Sequence, residues 1–133
     1  MDAADLLDTV CRRHHVALLV QFGSTVSGRV HDRSDLDLAA LVDGGPASGD
    51  ARLDLCLDLA PLFPQREVDL ALINRADPLF LKKILEHGRL VYGSPRRFAE
   101  LRTYAYRRYQ DHKRFLALER AYVRRALDTG AAR

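Results

Sequence analysis

The sequence predicts an α/β (α+β) fold: a small mixed sheet packed by helices, with a long C-terminal helix. Two observations carry that expectation. Along 133 residues the apolar pattern switches repeatedly between a helical period and an alternating strand period. Turn and cap signals fall where the pattern switches, at Gly44-Gly45-Pro46, Asp77-Pro78, His87-Gly88 and Ser94-Pro95. In order, Ala3 to Arg13 reads as a short amphipathic helix with Leu6, Leu7 and Val10 on one face, and Val16 to Phe22 as a buried strand. Thr25 to Val30 reads as a short helix and Leu36 to Val42 as a second strand. The loop at residues 44–49 precedes a helix from Leu53 to Leu62, stopped by Pro64, and Val68 to Ile73 makes a third strand. Asp77 caps and Pro78 opens the next helix, Arg89 to Tyr92 adds a short edge strand, and Ser94-Pro95 starts the last helix. The apolar positions of that helix include Phe98, Leu101, Ala105, Phe115, Leu116, Val123 and Leu127.

The length predicts a single domain over residues 1–133, able to bury roughly two-thirds of its unfolded surface. Cys11 and Cys56 lie far apart and have no Cys-x-x-Cys or Cys/His ligand spacing, which argues against zinc and for two ordinary thiols in a reducing interior. No apolar run reaches about 18 residues and no signal peptide is visible, so the expected location is cytoplasmic. Charge is uneven: residues 1–95 hold 10 Lys/Arg against 14 Asp/Glu, whereas residues 96–125 hold 10 against 3. A helix this basic, with Tyr104, Tyr106, Tyr109 and Tyr122 along it, suits partner docking first, plain solvation second and nucleic acid third.

The most informative stretch is Gly23-Ser24, ten residues, then Asp35-Leu36-Asp37. Side chains alternate along an extended segment, so Asp35 and Asp37 share one side while Leu36 and Leu38 enter the core. Two parallel carboxylates repel, and a hard cation relieves the repulsion; Mg²⁺ takes one or two carboxylates together with substrate phosphates and water. Gly23 permits a tight turn with close backbone approach, and Ser24 offers a hydroxyl and an N–H at an expected helix N-terminus, where phosphate is favoured. Asp69, in another strand-like run, supplies a third acid. Three acids on neighbouring strands suit a two-metal, in-line displacement. An Asp-Leu-Asp alone is a weak signal; the Gly-Ser turn at this spacing, the flanking apolar runs and Asp69 make it a specific one.

Phe22-Gly23-Ser24, Gly28 and Ser34-Asp35-Leu36-Asp37-Leu38 together resemble the signature of the polymerase-β-type nucleotidyltransferases. The short chain resembles their minimal branch, which includes the adenylyltransferase antitoxins encoded with HEPN-domain ribonuclease toxins. The resemblance covers about residues 14–93, a catalytic core, and leaves 94–128 as a C-terminal helical region. It implies Mg²⁺ held by Asp35, Asp37 and Asp69, with Asp69 also helping to deprotonate the acceptor. It further implies ATP as substrate, with its phosphates cradled by Gly23 and Ser24 and met by Arg29. The implied acceptor is a tyrosine hydroxyl of a HEPN toxin, silenced by added adenylate. Many minimal members carry arginines just after Gly-Ser; this chain has Thr25 and Ser27 there, with Arg29 and Arg33 later. That shifts phosphate neutralisation toward metal and the later arginines.

Two rival readings are a small-molecule transferase of the aminoglycoside type and a non-catalytic antitoxin that acts by docking alone. Short length counts against the first. The second leaves three clustered carboxylates without a ligand. Other motifs are weaker. Gly23 to Val30 lacks the lysine and the metal-binding hydroxyl of a P-loop. His14-His15 points to opposite faces and reads as surface, His31 reads as an exposed loop residue, and Arg107 with His112 matches the Arg-x₄-His of the partner toxins only by spacing.

Overall fold

The computed structural model describes residues 2–23, 35–45 and 49–131. Along these, helix α1 (Ala3–Arg13) leads into strand β1 (Val16–Phe22), and β2 (Leu36–Val42) returns beside it. Helix α2 (Ala51–Leu59) runs into a 3₁₀ turn at Ala60–Leu62, and then follow β3 (Val68–Leu72), α3 (Pro78–His87), β4 (Arg89–Gly93) and α4 (Pro95–Ala131). The short helix expected over Thr25 to Val30 lies outside the described residues.

The four strands form one mixed sheet in the order β3-β2-β1-β4. β1 pairs antiparallel with β2 and β4, while β2 pairs parallel with β3 through the α2 crossover. Parallel neighbours need such a crossover, whereas β1 and β2 need only a reversal. The strand alternation sorts side chains into two cores. Leu36, Leu38, Ala40 and Leu70 join Cys11, Leu55 and Leu59 under α1 and α2. Leu18, Val20 and Ala39 join Leu81, Ile84, Leu85, Phe98 and Ala105 under α3 and α4. The sheet is therefore covered on both faces, which is why β1 reads as a continuous apolar run rather than an alternating one. Leu19 is fully buried at the centre of this sheet. Leu19→Ala is expected to destabilise by about 2–5 kcal/mol in urea unfolding, through lost transfer energy and the cavity left behind.

Polar side chains finish the ends of these elements. Asp2 caps α1 and Asp77 caps α3, each accepting a first-turn N–H at 2.9 Å. Ser94 Oγ accepts the Arg97 N–H at the start of α4, and the Arg97 guanidinium grips Asp43 at 2.6 and 3.2 Å, fixing that start against the end of β2. The Asn74 side-chain amide both donates to the Val42 carbonyl and accepts from the Val42 N–H, continuing the ladder past the end of β3.

Two expectations need correction. Leu6 is 40% exposed, and the buried stripe of α1 runs instead through Leu7, Val10 and the wholly buried Cys11. Burial, with Asp8 nearby, pushes the Cys11 thiol up to about 12, so it packs as a small hydrophobe. His14 is not simply a surface residue: its Nε2 lies 2.6 Å from Asp58 Oδ2 and ties α1 to α2. That contact, ahead of the charges of His14 and Arg13, holds the Asp58 carboxyl below its ordinary value. On α4, Phe115, Leu116, Val123 and Leu127 are all exposed.

Candidate active site

The acids gather where β1 ends and β2 and β3 begin. Asp37 stands opposite Phe22 in the antiparallel β1/β2 pair and beside Asp69 in the parallel β2/β3 pair. Register neighbours on adjacent strands point to the same face, with backbones about 4.8 Å apart. Asp35 precedes β2 by one residue, and the alternation carries it to the same side as Asp37. That side is the one covered by α3 and α4, since Ala39 in β2 packs into their core while Leu36, Leu38 and Ala40 pack into the other.

Burial, then Asp69, then Asp35 raise the Asp37 carboxyl above its ordinary value. The carboxylates thus interact repulsively, and among the described residues no hydrogen bond or ion pair relieves Asp35, Asp37 or Asp69. Gly23, next to Phe22, turns the chain away from the sheet with φ +79°, and a Cβ there would collide with Asp37 Oδ2. The bend and the second acid therefore share one small space, which only glycine leaves open.

No three His, Cys, Asp or Glu side chains among the described residues make up a metal site by themselves. The donor set still fits magnesium, which needs only one or two carboxylates when substrate phosphates and water complete its octahedron. Two oxygen-donor acids side by side, one of them with its charge disfavoured, fit that partial cradle. Ser24, Gly28, Arg29, His31 and Arg33 lie outside the described residues.

Two further features lie near this end of the sheet. Phe80, in the first turn of α3, meets Phe22 edge-on, with ring centroids 6.2 Å apart. Leu36, between the two acids in sequence, helps line an open groove of about 320 Å³ with Leu62, Phe63, Pro64, Gln65 and Arg66. The only sequence signal for that groove is the apolar Leu62-Phe63 persisting up to the Pro64 stop.

A sheet of this order, with acids at the starts of β2 and β3 and a glycine bend at the end of β1, defines a nucleotidyltransferase module. The family model for polymerase beta, nucleotidyltransferase, matches residues 5–97, and the chain belongs to that family. No curated protein sequence matches it. Among solved structures, a chain from a toxin-antitoxin with AMP-PNP is similar at 21% identity and TM-score 0.71, over 96% of this chain and 99% of that one. A chain from the tri-AMPylated Shewanella oneidensis HEPN toxin in complex with MNT antitoxin is similar at 19% identity and TM-score 0.64, over 94% and 96%. The spectinomycin adenyltransferase AAD(9) from Enterococcus faecialis, with ATP and spectinomycin, shares 14% identity at TM-score 0.51, over 69% of this chain and 55% of that one. These likenesses establish a common fold. No helix among the described residues is long and apolar enough to cross a membrane.

Proposed function

We propose that this protein transfers AMP from ATP to a tyrosine hydroxyl of a cognate HEPN-type ribonuclease toxin in the cytoplasm, and thereby acts as its antitoxin. The observation that carries the reading is the register pair Asp37 and Asp69 meeting the Gly23 bend. Family membership supports the reaction class, and the fold shared with chains crystallised in toxin-antitoxin complexes supports the partner.

Asp35, Asp37 and Asp69 would hold magnesium, which when bound supplies positive charge for the phosphates and for the leaving pyrophosphate. The residues of the chain do the remaining work. Gly23 and Ser24 would cradle the β and γ phosphates. Asp69, on the strand next to Asp37, takes the proton of the incoming tyrosine hydroxyl. The tyrosine oxygen then bonds to the α-phosphorus as the bond to the β-phosphate bridging oxygen breaks, leaving adenylyl-tyrosine and pyrophosphate. Positioning and charge neutralisation supply most of the rate in such transfers.

The test is to incubate the protein with Mg-ATP and the product of the neighbouring gene, and then to weigh that product intact. The expected gain is one adenylate or a whole multiple of it, localised to tyrosine by fragmentation. An unchanged mass, with neutralisation that survives Asp35→Ala plus Asp37→Ala, would establish docking alone. Modification of an aminoglycoside in place of the protein would establish the small-molecule reading.

A further inference from the structure

We infer that the distal half of α4 is the handle by which the chain holds its protein acceptor, an amphipathic helix that fits an apolar groove rimmed by acids. This rests on the reading above and names the surface that serves it. Helix α3 has 10 residues and α4 has 37, so α3 can cover only the first part of its neighbour. Phe98 and Ala105 are buried against the sheet and α3, the Arg102 guanidinium donates to the Leu85 and Gly88 carbonyls, and the Lys82 ammonium sits 4.6 Å from the centre of the Tyr109 ring. Support ends there. From Lys113 to Thr129 every residue is exposed, a free rod of about 25 Å.

Such a rod is not built for water. At about 100° per residue, Phe115, Leu116, Leu118, Tyr122, Val123 and Leu127 fall within roughly half the helix circumference, with Glu119 the one charged residue among them. Phe115, Leu118, Tyr122 and Leu127 are 61%, 67%, 74% and 68% exposed. The opposite half carries Lys113, Arg114, Arg120, Arg124 and Arg125. The packed first half of α4 nucleates this stretch, and nothing in the described chain covers its apolar half, which is left for a partner to bury. Basic flanks on both edges select acids around the receiving groove and disfavour a second copy, whose flanks would face like charge. Nucleic acid would meet the arginines but leave the apolar half wet.

Two observations connect the rod to the acceptor. The family match stops at residue 97, and the likeness to AAD(9) covers 69% of the chain, whereas chains from the toxin-antitoxin structures match 94–96% of it. Helix α4 lies almost wholly beyond the matched transferase module yet belongs to the fold those chains share. Direction supplies the second link. α4 starts at Asp43, beyond the end of β2, and passes Leu85 and then Lys82 toward the first turn of α3. That turn carries Phe80, against Phe22 and hence beside Asp37. The rod leaves the body on the acid-bearing side, where a bound protein can present a hydroxyl.

The experiment compares the full chain with a Leu118→Glu plus Tyr122→Glu variant, using the purified neighbouring gene product. Expected results are a loss of at least about 100-fold in affinity by titration calorimetry, unchanged ATP affinity and melting temperature, and a raised KM for the toxin with kcat retained. Equal affinity of the two proteins for the toxin would overturn the proposal, as would a wild-type homodimer in sedimentation that the same substitutions dissolve. Wild-type chain that binds the toxin through this face but adds no mass to it would sink the transfer reading and leave the handle standing. Normal adenylation with no effect of the substitutions would do the reverse.

Discussion

Asp37→Asn is expected to reduce adenylyl transfer by about 10³-fold or more while raising the melting temperature of the metal-free protein at neutral pH. The first effect follows from removing one of the few charges that hold and orient the phosphates, the kind of group whose loss costs two to three decades in comparable sites. The second follows from linkage. Burial, Asp69 and Asp35 hold the folded Asp37 carboxyl above its unfolded value. Ionising such a group weakens the fold: the penalty is absent below the unfolded pKa and complete above the folded one. Asparagine keeps the shape and removes the charge, so it removes the penalty. The gap between variant and wild type should close as the pH falls through the ordinary carboxylate range near about 4. Magnesium should raise the wild-type melting temperature more than the variant's, because only a ligand that binds the folded state stabilises it. Scanning fluorimetry with and without chelator, across pH, reads all three. A variant that melts lower without metal would show that Asp37 is held by attractive contacts, and retained transfer would remove it from the site.

Much of this was legible in the sequence because the signals are local. Asp77-Pro78 and Ser94-Pro95 announce helices by capping chemistry, and the structure starts α3 and α4 at Pro78 and Pro95. The alternation places Asp35 and Asp37 on the face opposite Leu36 and Leu38 whatever the topology. What periodicity cannot supply is pairing. That β3 lies parallel to β2 in the register that sets Asp69 beside Asp37 is a long-range fact, readable only through the family resemblance. The same gap explains the errors. His14 found Asp58 across 44 residues of chain, which an adjacent pair of histidines gives no means to foresee. For the apolar residues of distal α4, the sequence leaves core and interface open, because a helical stripe looks alike whether its partner is inside the molecule or outside it. Only the shortness of α3 reveals that nothing in the described chain covers them.

Gly23→Ala is the sharper probe of the geometry, since it adds one carbon and changes no charge. Two effects should combine. The residue sits at φ +79°, where an L side chain is strained by about 1–3 kcal/mol. Its new Cβ also meets the Asp37 carboxylate, so either the bend or the acid must move. A displacement near 1 Å at a reacting site costs on the order of 10²-fold in rate, and that loss should appear in kcat for adenylyl transfer. Gly44 provides the control: its φ of +77° makes Gly44→Ala strained to a similar degree, but nothing lies within 4 Å of the added carbon. Both variants should lose comparable stability in urea, and only Gly23→Ala should lose transfer. The comparison separates strain from contact: equal transfer by the two variants would mean that the bend does not shape the acid site, and that the phosphates are held elsewhere.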